Sequence, residues 1–309
     1  MTGAPILVTG AGGFVCSEIA LALQRSGCDV VATDKAFDAA TSERLAAMKR
    51  IEGDLLDVLP RAPGPFSAVI HGAAITASPE RLGISQAAHI RRNMDLLTAT
   101  LDHARKAGAT RFLFISSMGV FEPVDTPVKD GTFTEATIPT ANCTYCAAKH
   151  AGELLTTAAA EDGFATQSLR LGNIFGPYEA VRETRQFLCL VSRMIAEARA
   201  SRVITVQTPV AMREWAWLPD LADAIAELVT SASWDGPSVL HAGSPPVTSD
   251  LSLARAVADR LPGTTLRLAS PPQTSTRPPM ASDHPALAHV QWTAMDKALD
   301  TLIAAEVAL

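Results

Sequence analysis

Short apolar runs alternate with helical patterns along the first two-thirds of the chain. Residues 6–9, 29–33, 68–71 and 111–116 are rich in Val, Ile, Leu and Phe, and 166–170 is the fifth strand candidate. Nearly uninterrupted apolar runs of this length predict strands buried on both faces. Between them, 13–26, 41–50, 88–107 and 143–162 carry helical spacing. Strand–helix alternation of this kind predicts a doubly wound α/β fold, a parallel sheet covered by helices on both faces.

Past residue 176 the pattern loosens. Helices are predicted at 185–200, 219–231 and 250–260, strands at 203–207 and 239–242, and a terminal helix within 290–308. The stretch 270–285 is rich in Pro, Ser and Thr and reads as a linker or a lid. The expected division is a first domain over 1–175, with 203–242 returning to it, and a smaller substrate lobe formed by 176–202 and 243–309.

Composition narrows the possibilities. With 48% hydrophobic and 19% charged residues in 309, the chain can bury a large core, which disfavours disorder. A net charge of −6 argues against a nucleic-acid partner. No apolar run is long enough to span a bilayer, and the first residues lack a secretory pattern. Five cysteines, an odd number, then read as reduced thiols in a cytoplasmic protein. Cys143 and Cys146 have CxxC spacing, but no second ligand pair accompanies them, and the seven histidines show no metal-ligand spacing. No metal is expected, and the two cysteines read as small packing residues.

Chemistry concentrates at two places. The first follows the opening strand, where Thr9 runs into Gly10-Ala11-Gly12-Gly13-Phe14. Glycines between a strand and a helix let backbone N–H groups approach a pyrophosphate. Cys16 occupies the third small position. Asp34 closes the second strand, at the distance where an acid meets the adenosine ribose, so NAD is favoured over NADP; Lys35 beside it keeps NADP as the alternative. Asp54 and Leu55 follow the third strand and suit an adenine ring, or else form a capped turn.

The second is Tyr145-Cys146-Ala147-Ala148-Lys149. Residues at i and i+4 of a helix share a face, so phenol and ammonium lie together. A neighbouring positive charge favours phenolate and makes the tyrosine a proton-transfer group. Ser116 and Ser117 end the strand before it; as bare sequence they are also an ordinary polar turn.

In order along the chain, Thr9-Gly10-Ala11-Gly12-Gly13-Phe14, Gly53-Asp54-Leu55, His71-Gly72-Ala73-Ala74, Asn93, Ser116-Ser117-Met118-Gly119-Val120-Phe121, Tyr145/Lys149, the run from Leu169 to Pro177 and the Arg213-Glu214-Trp215 block resemble the extended short-chain dehydrogenase/reductase family, in its NAD-dependent epimerase/dehydratase branch. The resemblance implies a Rossmann domain with a C-terminal substrate lobe. It implies Tyr145 as general acid/base, Lys149 as its tuning partner and ribose ligand, and Ser117 as the group orienting the substrate oxygen. It also implies that Gly10, Gly12, Gly13, Phe14, Asp34, Asp54, Leu55, Ala73, Asn93, Tyr145 and Lys149 hold NAD. A homodimer through the 88–107 and 143–162 helices is implied as well.

The substrate is expected to be an anionic, sugar-type small molecule, either a sugar acid or a sugar nucleotide. Arg182, Arg185, Arg213 and Arg277 cluster in the variable part, and guanidinium groups suit phosphate or carboxylate. The expected substrate contacts are Ser117, Asn173, Arg182, Arg213 and Arg277. Oxidation of a secondary alcohol with hydride passing to NAD is the first expectation. A sugar-nucleotide epimerase that keeps its NAD is the alternative, and an NAD-binding regulatory protein is a third reading. Dehydration is disfavoured, because Met118 and Gly119 stand where such an enzyme needs acids.

Overall fold

The computed structural model describes residues 3–62, 64–121, 131–141, 143–181, 187–234, 236–273, 277–282 and 284–307. In chain order the elements are β1 (Ile6–Thr9), α1 (Phe14–Arg25), β2 (Val30–Asp34), α2 (Ala39–Arg44), β3 (Lys49–Glu52), α3 (Leu55–Val58), β4 (Ala68–His71), α4 (Pro79–Leu82), α5 (Gln86–Lys106), β5 (Arg111–Ser117), α6 (Thr144–Ala158), β6 (Ala165–Leu171) and β7 (Asn173–Phe175). They continue with α7 (Leu190–Ser201), β8 (Val203–Val206), β9 (Met212–Trp217), α8 (Leu218–Thr230), β10 (Val239–His241), β11 (Val247–Ser249), α9 (Asp250–Arg260), β12 (Thr265–Leu268), α10 (Pro285–Ala288) and α11 (Met295–Val307).

Seven strands form a parallel sheet in the order β10-β6-β5-β4-β1-β2-β3. Alternate strand residues face opposite layers, as a period of two requires. Ile6, Val8, Ala32, Ile70 and Ile115 point to the side covered by α1 and α8. Leu7, Val31, Val69, Phe112 and Phe114 point to the side covered by α5. Full burial of each such aliphatic side chain contributes about 1.5–3 kcal/mol. Both faces are apolar, so the strands carry the continuous hydrophobic runs by which they are recognised. The strand order reverses between β1 and β4, and in open α/β sheets ligands bind in the crevice at the carboxyl ends of that pair.

A second core lies in the C-terminal half, where Ile195, Ile204, Val206, Trp215, Leu253 and Leu302 are buried together. Within 203–242, β10 joins the large sheet and α8 packs on it, with Ala216 of β9 in the same core. Val203–Val206 instead pairs in parallel with Thr265–Leu268, because Ile204 and Val206 are buried in the second core. The helix expected over 41–50 ends at Arg44, and Lys49–Glu52 is an edge strand with three exposed residues.

Helix starts are capped locally. Ser85 Oγ accepts from Ala88 N–H at 3.1 Å and Ser249 Oγ from Ser252 N–H at 3.1 Å. Cys143 does the same for α6, its Sγ lying 3.2 Å from Cys146 N. α5 and α6 lie side by side, with Leu154 and Leu155 of α6 exposed.

Candidate active site

A cleft of about 1210 Å³ opens over the β1–β4 crevice and extends to β8, β9 and the start of α9. Its first arm begins at the β1–α1 turn. Gly10 has φ +74°, and a Cβ there would stand 2.7 Å from Ala73 N. The turn therefore packs backbone to backbone against the loop after β4, which a larger residue would prevent. Thr9 Oγ1 reinforces the junction, accepting from Ala73 N–H at 3.3 Å and lying 2.9 Å from His71 Nδ1. Cys16 fits because it faces Gly72, where any Cβ would collide with its sulfur. Burial pushes the Cys16 thiol up to about 12, with Asp34 adding to the effect.

Asp34 is fixed at the end of β2. Its Oδ2 accepts from Gly12 N–H at 2.8 Å and its Oδ1 from Lys35 N–H at 2.6 Å. Gly10, Gly13, Phe14, Asp34, Asp54, Leu55 and Ala73 all line the cleft. Asp54 also caps α3, accepting from Leu56 N–H at 3.1 Å. Asn93 does not line this cleft: its side chain braces the loop after β4, accepting from Ile75 N–H at 2.9 Å and donating to Ile75 O at 3.3 Å.

The reactive groups stand at the end of β5 and on the first turns of α6. Ser116 and Ser117 diverge. Ser116 Oγ donates to the buried Glu153 at 2.6 Å, whereas Ser117 Oγ accepts from Gly119 N–H at 3.0 Å. A methyl group on Gly119 would stand 3.3 Å from Ser117 Oγ and 3.8 Å from Tyr145 Cε1, so hydroxyl and phenol flank the same spot. Lys149 Nζ donates to Ile115 O at 2.6 Å and lies 5.8 Å from the Tyr145 ring centroid. Burial lowers the Lys149 ammonium to about 8, with Cys16 and Glu153 opposing the shift. His71, beneath it, is pushed down to about 3 by burial and by Lys149, and so stays neutral.

The second arm is lined by Gln207, Thr208, Arg213 and Gln273. Asp250, at the start of α9, grips Arg213 with both oxygens, at 2.8 Å to Nε and 3.2 Å to Nη2. This two-point contact fixes the guanidinium plane beside the cleft. Asn173 also lines the cleft, its N and Nδ2 each donating to Glu214 Oε1 at 3.3 Å. Burial raises the Glu214 carboxyl above its ordinary value. Arg277 does not reach the cleft lining; its Nη2 donates to Phe121 O at 3.1 Å. Arg182 and Arg185 lie outside the described residues. Sequence reasoning missed Asp250 and the polar lining of this arm, which carry no local motif. Glu153 and Arg170 did leave a trace: a charge between Leu169 and Leu171 in an expected buried strand demands a partner.

The description of the NAD dependent epimerase/dehydratase family matches residues 6–241. The chain belongs to that family. Among individual members, it is similar to a UDP-glucose 4-epimerase of Corynebacterium glutamicum, 31% identical over 186 residues that make up 59% of this chain and 54% of the relative. A dTDP-glucose 4,6-dehydratase of Streptomyces niveus is 30% identical over 189 residues, 56% of this chain and 55% of the relative. The chain spans about half the length of the curated relatives it matches. In fold it is similar to a Thermotoga maritima UDP-glucose 4-epimerase solved with UDP-glucose, with a TM-score of 0.82 and 20% identity over 98% of this chain and 99% of that one. An NAD-dependent NDP-hexosamine 5,6-dehydratase of tunicamycin biosynthesis gives 0.81 and 19%, covering 99% of both chains.

The first arm fits the family's cofactor. Its turn leaves no room for a side chain at Gly10, and Asp34 lines the cleft beside it.

Proposed function

We propose that the chain holds NAD along the Gly10–Asp34 arm and a nucleotide-activated sugar along the Arg213 arm, and inverts one carbinol centre of that sugar. The observation that carries this reading is the meeting of Ser117, Tyr145 and Lys149 in one cleft with both arms. When bound, NAD supplies the hydride acceptor and donor. Tyr145 takes the proton of the reacting hydroxyl, and the Lys149 ammonium favours its phenolate form. Ser117 Oγ fixes the substrate oxygen. Gly10 and Gly13 of the turn face the pyrophosphate, Gly12 N–H holds Asp34, and Asp34 accepts from the ribose and so selects NAD. Arg213 faces the substrate diphosphate, and Asn173 contacts the sugar side.

The likeness to enzymes named for UDP-glucose and dTDP-glucose supports a sugar nucleotide over a free sugar acid. Epimerisation is favoured over dehydration because Met118 and Gly119, directly after Ser117, bring no acid to the reacting carbons.

The test is incubation with UDP-glucose, UDP-galactose, dTDP-glucose and free sugar acids, followed by NADH absorbance and by NMR for epimers. The expected result is an epimer with no net NADH. NADH accumulating instead would make the protein a net dehydrogenase, and inertness of every nucleotide sugar toward NAD-loaded protein would defeat the reading. In the same assay, Arg213→Leu should raise KM for the nucleotide sugar about 10- to 100-fold, the loss of one charge-assisted contact, with kcat nearly unchanged. An unchanged KM would remove Arg213 from the substrate site.

A further inference from the structure

Arg170 lies on β6, between β5 and the edge strand β10, and its side chain is 4% exposed. Its Nε and Nη2 donate to Glu153 Oε1 and Oε2 at 2.9 and 2.8 Å. Ser116 Oγ donates to the same Glu153 Oε1 at 2.6 Å. On the other side, Arg170 Nη1 stands 3.4 Å from His241 Nε2, and His241 Nδ1 stands 2.7 Å from Ala281 O. A carbonyl only accepts, so Nδ1 carries the hydrogen and Nε2 accepts from Arg170. His241 is thereby held as one neutral tautomer, and burial lowers its pKa in the same sense.

A buried ion pair adds little stability over apolar residues of similar volume. What this pair does provide is registry. Tyr145, Lys149 and Glu153 succeed one another at four-residue intervals along α6, so they form one stripe. Ser116 immediately precedes Ser117 on β5. One carboxylate therefore joins the helix bearing Tyr145 and Lys149 to the strand bearing Ser117, and β6 clamps it from behind.

We propose that Glu153, held by Ser116 and Arg170, is a positioning residue of the reaction, setting Lys149 against the end of β5 and so the placing of Tyr145 beside Ser117. The inference rests on the roles given to these residues under the proposed function. The titratable and charged groups around Lys149 are Cys16 of α1, His71 of β4, and Tyr145 and Glu153 of α6, with Arg170 of β6 beyond Glu153. Glu153 is the carboxylate that supports the ammonium.

The chain has two tyrosines, so the ultraviolet band of phenolate can be titrated in NAD-loaded protein, with a Tyr145→Phe sample subtracting Tyr178. Glu153→Gln keeps the side-chain volume and removes the charge. Loss of the nearby negative charge would by itself favour phenolate, whereas displacement of Lys149 from Tyr145 disfavours it, so the expected rise of the Tyr145 midpoint, about one pH unit, reports lost positioning. With an active nucleotide sugar, kcat should fall about tenfold at unchanged KM, the same free energy expressed as a rate. Should Glu153→Gln fail to fold, the double variant Glu153→Gln/Arg170→Met removes both charges, the kind of exchange that buried pairs tolerate, and should show the same rise. A folded variant of either kind whose Tyr145 titrates as in the parent overturns the proposal. A raised midpoint in a protein inert toward every nucleotide sugar upholds the role of Glu153 and counts against the substrate instead.

Discussion

Tyr145→Phe should lower turnover of the nucleotide sugar by about 10³-fold, within the span that one positioned acid/base group contributes, while NAD still binds. The substitution removes a single oxygen. The ring keeps its place beside Gly119, and the Lys149 hydrogen bond to Ile115 O is untouched. Among the described residues, no neighbour replaces the lost group. Ser117 Oγ is engaged by Gly119 N–H and is far too weak an acid to exchange protons readily near neutral pH. His71 is buried, neutral and on the far side of Lys149. Cys146 sits near Gly119, but burial and its bond to Cys143 push its thiol up to about 12. Steady-state kinetics beside an NAD titration separate the two effects. Turnover within about tenfold of the parent would remove Tyr145 from the chemistry.

Gly10→Val should damage both binding and stability. The position has φ +74°, and the nearest backbone atom stands 2.7 Å from where a Cβ would go. A β-branched residue in left-handed conformation costs about 2 kcal/mol or more before any overlap is counted. The overlap is with Ala73, so the loop after β4 must retreat and the β1–β4 crevice with it. The expected outcome is a lower thermal midpoint and NAD affinity weaker by at least about 100-fold, since the turn can no longer face the pyrophosphate. Calorimetric titration and thermal unfolding measure the two. Parent-like NAD affinity would mean the cofactor lies elsewhere.

How much of this was legible beforehand depended on whether a signal was local. The central strands were readable because burial on both faces leaves almost no polar residue in them. Lys49–Glu52 was not, because an edge strand with three exposed residues has no apolar run, and its charges extended the helical reading of 41–50. The glycine turn, Asp34 and the Tyr145/Lys149 spacing are short-range patterns, and each lines the cleft. Arginine roles depend on where distant segments fold back: Arg213 lines the cleft, whereas Arg277 turns to the carbonyl of Phe121. Asn93 shows a different limit. Its place in the motif was visible, but its bonds to Ile75 depend on how the loop after β4 closes. The place of Ser117 in the motif favours it over Ser116, but the partner of Ser116 was not legible, because Glu153 lies 37 residues away on α6.

The order of strands also bears on how the chain is made. Of the seven strands, β1 is made before the rest and lies inside the sheet, and β10, the last, closes the edge beside β6. On a ribosome, residues 168–170 therefore wait with their outer backbone groups unpaired while the whole stretch from β7 to α8 is still being added. An open strand edge is a template for another chain. Until β10 arrives, the nascent protein carries such an edge together with an Arg170 that lacks His241, so a product released before residue 239 should be prone to aggregate.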